Sequence, residues 1–176
     1  MSVAQTPDEE RFGQVFHAHF RAVTAYALRR TTPAEAEDVV AETFLVAWRR
    51  LDELPEDPQA WLLGVARRVL ANQRRAAGRR RALVDRIGGE TVRADSAGST
   101  PSVLQALARL SEPDREALLL IAWEGLSTAE GATAFGCSPT AFKVRLHRAR
   151  RRLRTELRRL ERRGPRPLMT SRLEES

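Results

Sequence analysis

The stretch from Ser127 to Arg163 constrains the fold more than any other part of the sequence. Ser127-Thr128-Ala129-Glu130 has the spacing of a capping box, so a helix starts there. Gly136 can take the left-handed conformation that ends a short helix, and Ser138-Pro139 suits the start of the next. At about 100° per residue, Phe142, Leu146, Ala149, Leu153 and Leu157 share one face of that second helix. Thr140, Lys143, Val144, His147, Arg148 and Arg151 share the opposite face. With Ala132 small enough for a close helix crossing and Phe135, Cys137 and Phe142 as an apolar clasp, this is the pattern of a helix-turn-helix. The second helix of such a motif enters the major groove, where its cations meet phosphates and base edges and Val144 can meet a thymine methyl. Without the preceding turn, the same helix would read as an amphipathic surface helix with solvated arginines.

Charge agrees with a polyanionic partner. The 176-residue chain carries 30 Lys+Arg against 23 Asp+Glu, a formal charge of +7. Almost all of the positive charge is Arg, which forks onto phosphate and guanine, although high Arg can also reflect genomic base composition. A hydrophobic content of 42% is enough for a packed core. Cys137 is the one cysteine, which excludes an intramolecular disulfide. The polar, acidic start does not look like a secretory leader, and the run Ala117 to Trp123 is too short to cross a bilayer. A soluble, cytoplasmic protein without a membrane partner is expected.

No alternating strand pattern occurs, so the expected fold is all-α: two small helical domains joined by a flexible linker. A break of turn-forming residues runs from about Gly78 to Pro101. The expected division is a first domain over 8–80, a linker over 81–101, a helix-turn-helix domain over 102–163 and a disordered tail over 164–176. In the first domain, Phe12, Val15, Phe16, Phe20, Val23 and Ala27 recur at helical spacing. Thr32-Pro33-Ala34-Glu35 is a second capping box, and Asp57-Pro58 a further helix start. Ala36, Val40, Phe44, Ala47 and Leu51 then form a core stripe. Asp38, Ala41, Glu42, Leu45 and Arg49 lie opposite, a polar face whose central Leu45 suits a protein contact better than plain solvent, although one stray exposed leucine is common. On the next helix, Trp61, Arg68, Asn72, Arg75 and Arg79 line up beside a core stripe of Leu62, Ala66 and Val69. Trp61 and Trp48 both read as structural residues.

Three strings make the pattern specific. Gly136-Cys137-Ser138 followed by Lys143-Val144-Arg145-Leu146-His147-Arg148-Ala149-Arg150 resembles region 4 of extracytoplasmic-function (ECF) sigma factors of the sigma-70 family. The run Ala36 to Phe44 resembles region 2.2, and Pro58 to Arg75 resembles regions 2.3 and 2.4. Together the likeness covers roughly residues 8 to 160. It implies a promoter-specificity factor that catalyses nothing itself and needs no cofactor or metal. Its implied partners are core RNA polymerase (the β′ clamp helices and the β flap), promoter DNA and an anti-sigma factor. The resemblance assigns polymerase docking to the face of Asp38, Glu42, Leu45 and Arg49. It assigns the −35 element to Thr140, Lys143, Val144, His147, Arg148 and Arg151. The melted −10 strand falls to Arg68, Asn72, Arg75 and Arg79 with the loop at about Asp52 to Asp57. The sequence departs from the family at Ala41, where Gln is usual, and at Arg68 and Asn72, where Asn and Asp are frequent. At Gly131 a large aliphatic residue is usual, so a gap is expected there.

Two rival classes are a helix-turn-helix regulator that binds duplex DNA without polymerase, and a nucleic-acid hydrolase. For the second, Glu35, Glu37, Asp38 and Glu42 are the candidate acids, but they fall on a helix start and an exposed face. His17, His19, Cys137 and His147 lack metal-ligand spacing, and no P-loop or Ser/His/Asp arrangement is present.

Overall fold

Every described segment with regular structure is helical. The computed structural model describes residues 6–85, of which 80–85 by backbone alone, and 102–162. The tail over 164–176 and most of the expected linker lie outside these residues. Three helices, α1 (Pro7–Leu28), α2 (Pro33–Arg49) and α3 (Gln59–Asp85), form the first half, with a 3-10 turn at Leu51–Glu53. The second half holds α4 (Ser102–Ala108), α5 (Glu112–Ala122), α6 (Thr128–Phe135) and α7 (Pro139–Arg162).

Side-chain caps set most of the helix starts. Thr32 accepts from the Glu35 amide while the Glu35 carboxylate accepts from the Thr32 amide at 3.3 Å. Thr6 and Glu9 do the same for α1. Asp57 accepts from the Gln59 amide at 3.2 Å and so opens α3. These bonds satisfy amides that a helix start otherwise leaves without partners.

The break expected from Gly78 begins too early. α3 runs through Gly78 to Asp85. A glycine inside a helix costs only about 1 kcal/mol relative to alanine, and its Ala and Arg neighbours are strong helix formers.

In the first half, α1, α2 and α3 pack on one another around Val23, Tyr26, Val39, Phe44, Leu62, Leu63 and Ala66. Leu51 of the 3-10 turn and Leu54 just after it are buried too. Phe16 lies 4.7 Å from Phe44 between ring centres, and Phe12 meets Trp48 edge-on at 5.2 Å. Trp48 is nonetheless 42% exposed, so it caps this aromatic cluster rather than filling the core. Trp61 is half-buried against the core, with the Arg50 guanidinium over its ring.

In the second half, α5, α6 and α7 enclose Ala117, Leu120, Ala132, Phe142, Leu146 and Ala149. One apolar cluster continues across both halves, because α3 packs on α6. Gly64 makes that approach possible: a Cβ there would stand 3.1 Å from the Ala134 carbonyl oxygen.

Polar contacts reinforce the junction between halves. Arg67 donates to the Ala134 carbonyl at 3.3 Å and to the Phe135 carbonyl at 2.5 Å, satisfying acceptors at the end of α6. Arg30 bonds Glu116 and Glu124, each at 2.9 Å, and stacks on Tyr26 at 3.6 Å. The Tyr26 hydroxyl donates to Glu116 at 2.7 Å.

Candidate nucleic-acid interface

The turn between α6 and α7 is built as its residues dictate. Ser127 and Glu130 cap α6 reciprocally, and the hydrogen bonds from Ser127 hold the Glu130 carboxyl below its ordinary range. Gly136 adopts φ 76°, and its amide donates to Ala132 at 2.9 Å. The Cys137 amide donates to the same carbonyl at 3.1 Å. Ser138 accepts from the Ala141 amide at 3.2 Å and starts α7.

Gly131 leaves no gap, contrary to expectation. A Cβ at this position would lie 2.6 Å from the Phe142 ring and 3.2 Å from Ile121. The Phe142 ring fills the space that a large residue on α6 would otherwise take, and Phe135 packs on it at 5.7 Å between ring centres.

α7 separates its two faces as its periodicity requires. Phe142, Leu146 and Ala149 are buried, and Leu153 and Leu157 are half-buried. Thr140, Lys143, Val144, His147, Arg148 and Arg151 are all exposed. Among the described residues, no carboxylate pairs with Lys143, Arg148 or Arg151. Three cations on one rigid helix face without internal partners can track a phosphate backbone.

The row on α3 is also at the surface. Arg68, Asn72, Arg75 and Arg79 are exposed, and Arg75 donates to the Asn72 side-chain oxygen. Partial burial, with Arg67 and Arg50 close by, lowers the pKa of the Arg68 guanidinium. Like charges crowded this way favour an arriving anion.

On α2, Asp38, Ala41, Glu42, Leu45 and Arg49 are exposed, with Leu45 at 41%. A groove between α2 and α3 is lined by Asp38, Ala41, Glu42, Leu45, Val69 and Asn72. The structure thus brings Asn72 of the α3 row against the α2 face, which the sequence did not reveal. On the other side of Ala41, an apolar groove between α1 and α2 is lined by Phe16, Phe20, Leu28, Val40 and Phe44. Phe20 and Leu28 are 39% and 48% exposed there.

Sequence reasoning also missed Arg30, Arg67, Asp114, Glu116 and Glu124. Their partners lie tens of residues away, so no local spacing marks them. Among the described residues no cluster of His, Cys, Asp and Glu could hold a metal, and no helix is long and apolar enough to cross a membrane.

Described residues whose regular structure is all helical, with a helix-turn-helix, an unpaired basic face and a second basic row beside an acidic-apolar surface, define a nucleic-acid-binding protein of the transcription class. Comparison with known proteins makes this specific. The Sigma-70 region 2 model matches residues 15–80, and the Sigma-70, region 4 model matches residues 101–153. The ECF RNA polymerase sigma factor SigL of Mycobacterium tuberculosis is 34% identical over 160 residues, 83% of this chain and 88% of SigL. CnrH of Cupriavidus metallidurans is 28% identical over 168 residues, 85% of this chain and 88% of CnrH. Among solved structures, the sigma factor RpoE in complex with the anti-sigma factor NepR from Bartonella quintana matches with a TM-score of 0.63 at 30% identity. That match covers 84% of this chain and 96% of RpoE. CnrH in complex with the cytosolic domain of CnrY matches with a TM-score of 0.58 at 27% identity, covering 84% and 88%. The chain belongs to the ECF RNA polymerase sigma factors of the sigma-70 family, which direct transcription initiation.

Proposed function

We propose that this sigma factor reads the −35 element with Thr140, Lys143, Val144, His147, Arg148 and Arg151. Arg68, Asn72, Arg75 and Arg79 hold the unpaired −10 strand, and Asp38, Glu42, Leu45 and Arg49 dock on the β′ clamp helices of core polymerase. The second domain, over 102–163, also meets the β flap, and the linker over 81–101 passes near the polymerase active-site channel. Bond formation stays with the polymerase, in the cytoplasm.

The observation that carries this reading is the division of α7 into a buried apolar face and an exposed face with unpaired cations. The crowded guanidinium at Arg68 supports strand capture, because phosphates relieve like-charge crowding and an extruded base gains from binding only when unpaired. The groove joining Asn72 to Glu42 and Leu45 supports a polymerase contact adjoining the captured strand. An anti-sigma factor is the regulator that fits, as the similar sigma factor RpoE was solved in complex with the anti-sigma factor NepR.

In vitro transcription with purified core polymerase and a genomic promoter library tests the reading. Initiation at a defined set of promoters, each sharing two boxes, is the expected result. Tight sequence-specific binding to duplex DNA with no polymerase present would instead favour a conventional regulator.

A further inference from the structure

Asp114 is a buried carboxylate that the reading surface itself does not use. It sits in the first turn of α5, where its amide donates to the Ser111 carbonyl at 3.1 Å, and its side chain is 4% exposed. One carboxylate oxygen accepts from Arg152, and the other lies 3.7 Å from the Arg145 guanidinium. Arg145 and Arg152 are seven residues apart, so two turns of α7 are tied to one point on α5. The cleft around Asp114 is also lined by Thr140, Val144 and Arg148, three of the residues assigned above to the −35 element.

Arg145 and Arg152 therefore run along the edge of the reading face while their charges are directed inward. Arg145 is held further by the Phe135 ring, 5.2 Å from its guanidinium carbon. Cations on the reading face that reach phosphate raise affinity for every sequence alike, whereas base contacts separate one sequence from another. Two arginines withheld from the backbone lower the sequence-independent part of binding and leave the base-reading part intact.

On the reading of α7 as the −35 reader, we propose that Asp114 is a positioning residue that holds Arg145 and Arg152 against α5 and thereby limits the sequence-independent part of α7's affinity for DNA. The carboxylate makes no DNA contact in this scheme; it acts through the two arginines.

The test uses full-length protein assembled with core polymerase. The DNA is a promoter fragment recovered in the transcription experiment and a copy with only its −35 box scrambled. Binding to both is measured across a salt series for the wild type, D114N and R152Q. D114N keeps the shape of the side chain but loses its charge. Its expected effects are binding to both fragments tighter by about tenfold at low salt, with the cognate-to-scrambled ratio unchanged. The salt dependence of binding steepens by about one unit of log–log slope for each arginine released to a phosphate. R152Q alters a side chain that is 61% exposed, and its salt dependence should match the wild type, because Arg152 is already engaged by Asp114.

Unchanged affinity for both fragments and an unchanged slope in D114N, with or without a loss of thermal stability, would reduce Asp114 to a structural residue and overturn the proposal. So would a shallower slope in R152Q, since Arg152 would then be a phosphate contact in the wild type. Should wild-type holoenzyme bind the cognate and scrambled fragments equally, the −35 assignment of α7 fails first and this proposal falls with it.

Discussion

Arg30 and Glu116 stand 86 residues apart in sequence and meet at 2.9 Å, their side chains 5% and 12% exposed. Glu124 joins from the far end of α5's exit, and Tyr26 closes the group from below. A buried pair of this kind adds little net stability over an apolar contact, yet removing one partner leaves uncompensated charge. Arg30→Ala should therefore cost about 3–5 kcal/mol. Denaturant unfolding of the full chain, compared with Glu124→Gln, measures it; a change within error would mean that the two halves do not meet through this group in solution.

Tyr26 gives the same junction a spectroscopic signature. It is the single tyrosine of the chain, and burial, followed by the charge of Glu116, pushes its phenol far above the ordinary value. A group whose pKa is raised by folding contributes its stability below the unfolded value, about 10 for tyrosine, and loses it as pH rises toward the folded value. Native protein should show no phenolate absorbance as pH passes about 10, and phenolate should appear only together with loss of helical circular dichroism. Smooth titration near 10 in protein that stays helical would place Tyr26 at the surface.

Gly131→Ala should destabilise, although alanine is the better helix former by about 1 kcal/mol. The added methyl would meet Phe142 at 2.6 Å, and overpacking of this kind costs about 1–3 kcal/mol. Combining it with Phe142→Leu, which gives the methyl room, should recover part of the loss. A double-mutant cycle by thermal unfolding reads the coupling; additive effects would show that the two positions do not share a space.

Docking on polymerase is testable on α2. Glu42→Ala should weaken capture of core enzyme by about 1–2 kcal/mol, and Leu45→Asp by at least as much. Both positions are exposed, so helix content should not change. A quantitative pull-down at fixed salt decides, and wild-type capture by both variants would remove this face from the interface.

Arg148→Ala should reduce promoter-specific initiation by about 1–3 kcal/mol, the usual worth of a groove contact. Single-round transcription from the cognate promoter and from one altered in its −35 box reports it. Equal initiation by the variant and the wild type would exclude Arg148 from readout.

Short-range chemistry was legible in the sequence. The boxes at Thr32 and Ser127, the left-handed Gly136 and the two faces of α7 each depend on residues within two turns of one another, and each forms as expected. Gly131 misled because the atoms that fill its space come from α7, and nothing on α6 announces them. Gly78 misled because a turn-former surrounded by Ala and Arg is outvoted by its neighbours. Trp48 reads as structural, and it is so at the margin of the fold, meeting Phe12 in a T-shaped contact while staying 42% exposed. The junction through Arg30, Arg67 and Gly64 left no trace at all, since a charged residue that pairs across the fold looks the same in sequence as one facing water.

The carbonyl ends of α6 are finished by Arg67, and the backbone of α6 rests on Gly64. An excised 102–162 fragment would expose those acceptors and the flank of Ala134 to water, so its melting curve and DNA affinity would describe a different object from the same residues in the whole chain. Chimeras that exchange the DNA-reading half between relatives inherit the same obligation: positions 64 and 67 have to travel with it.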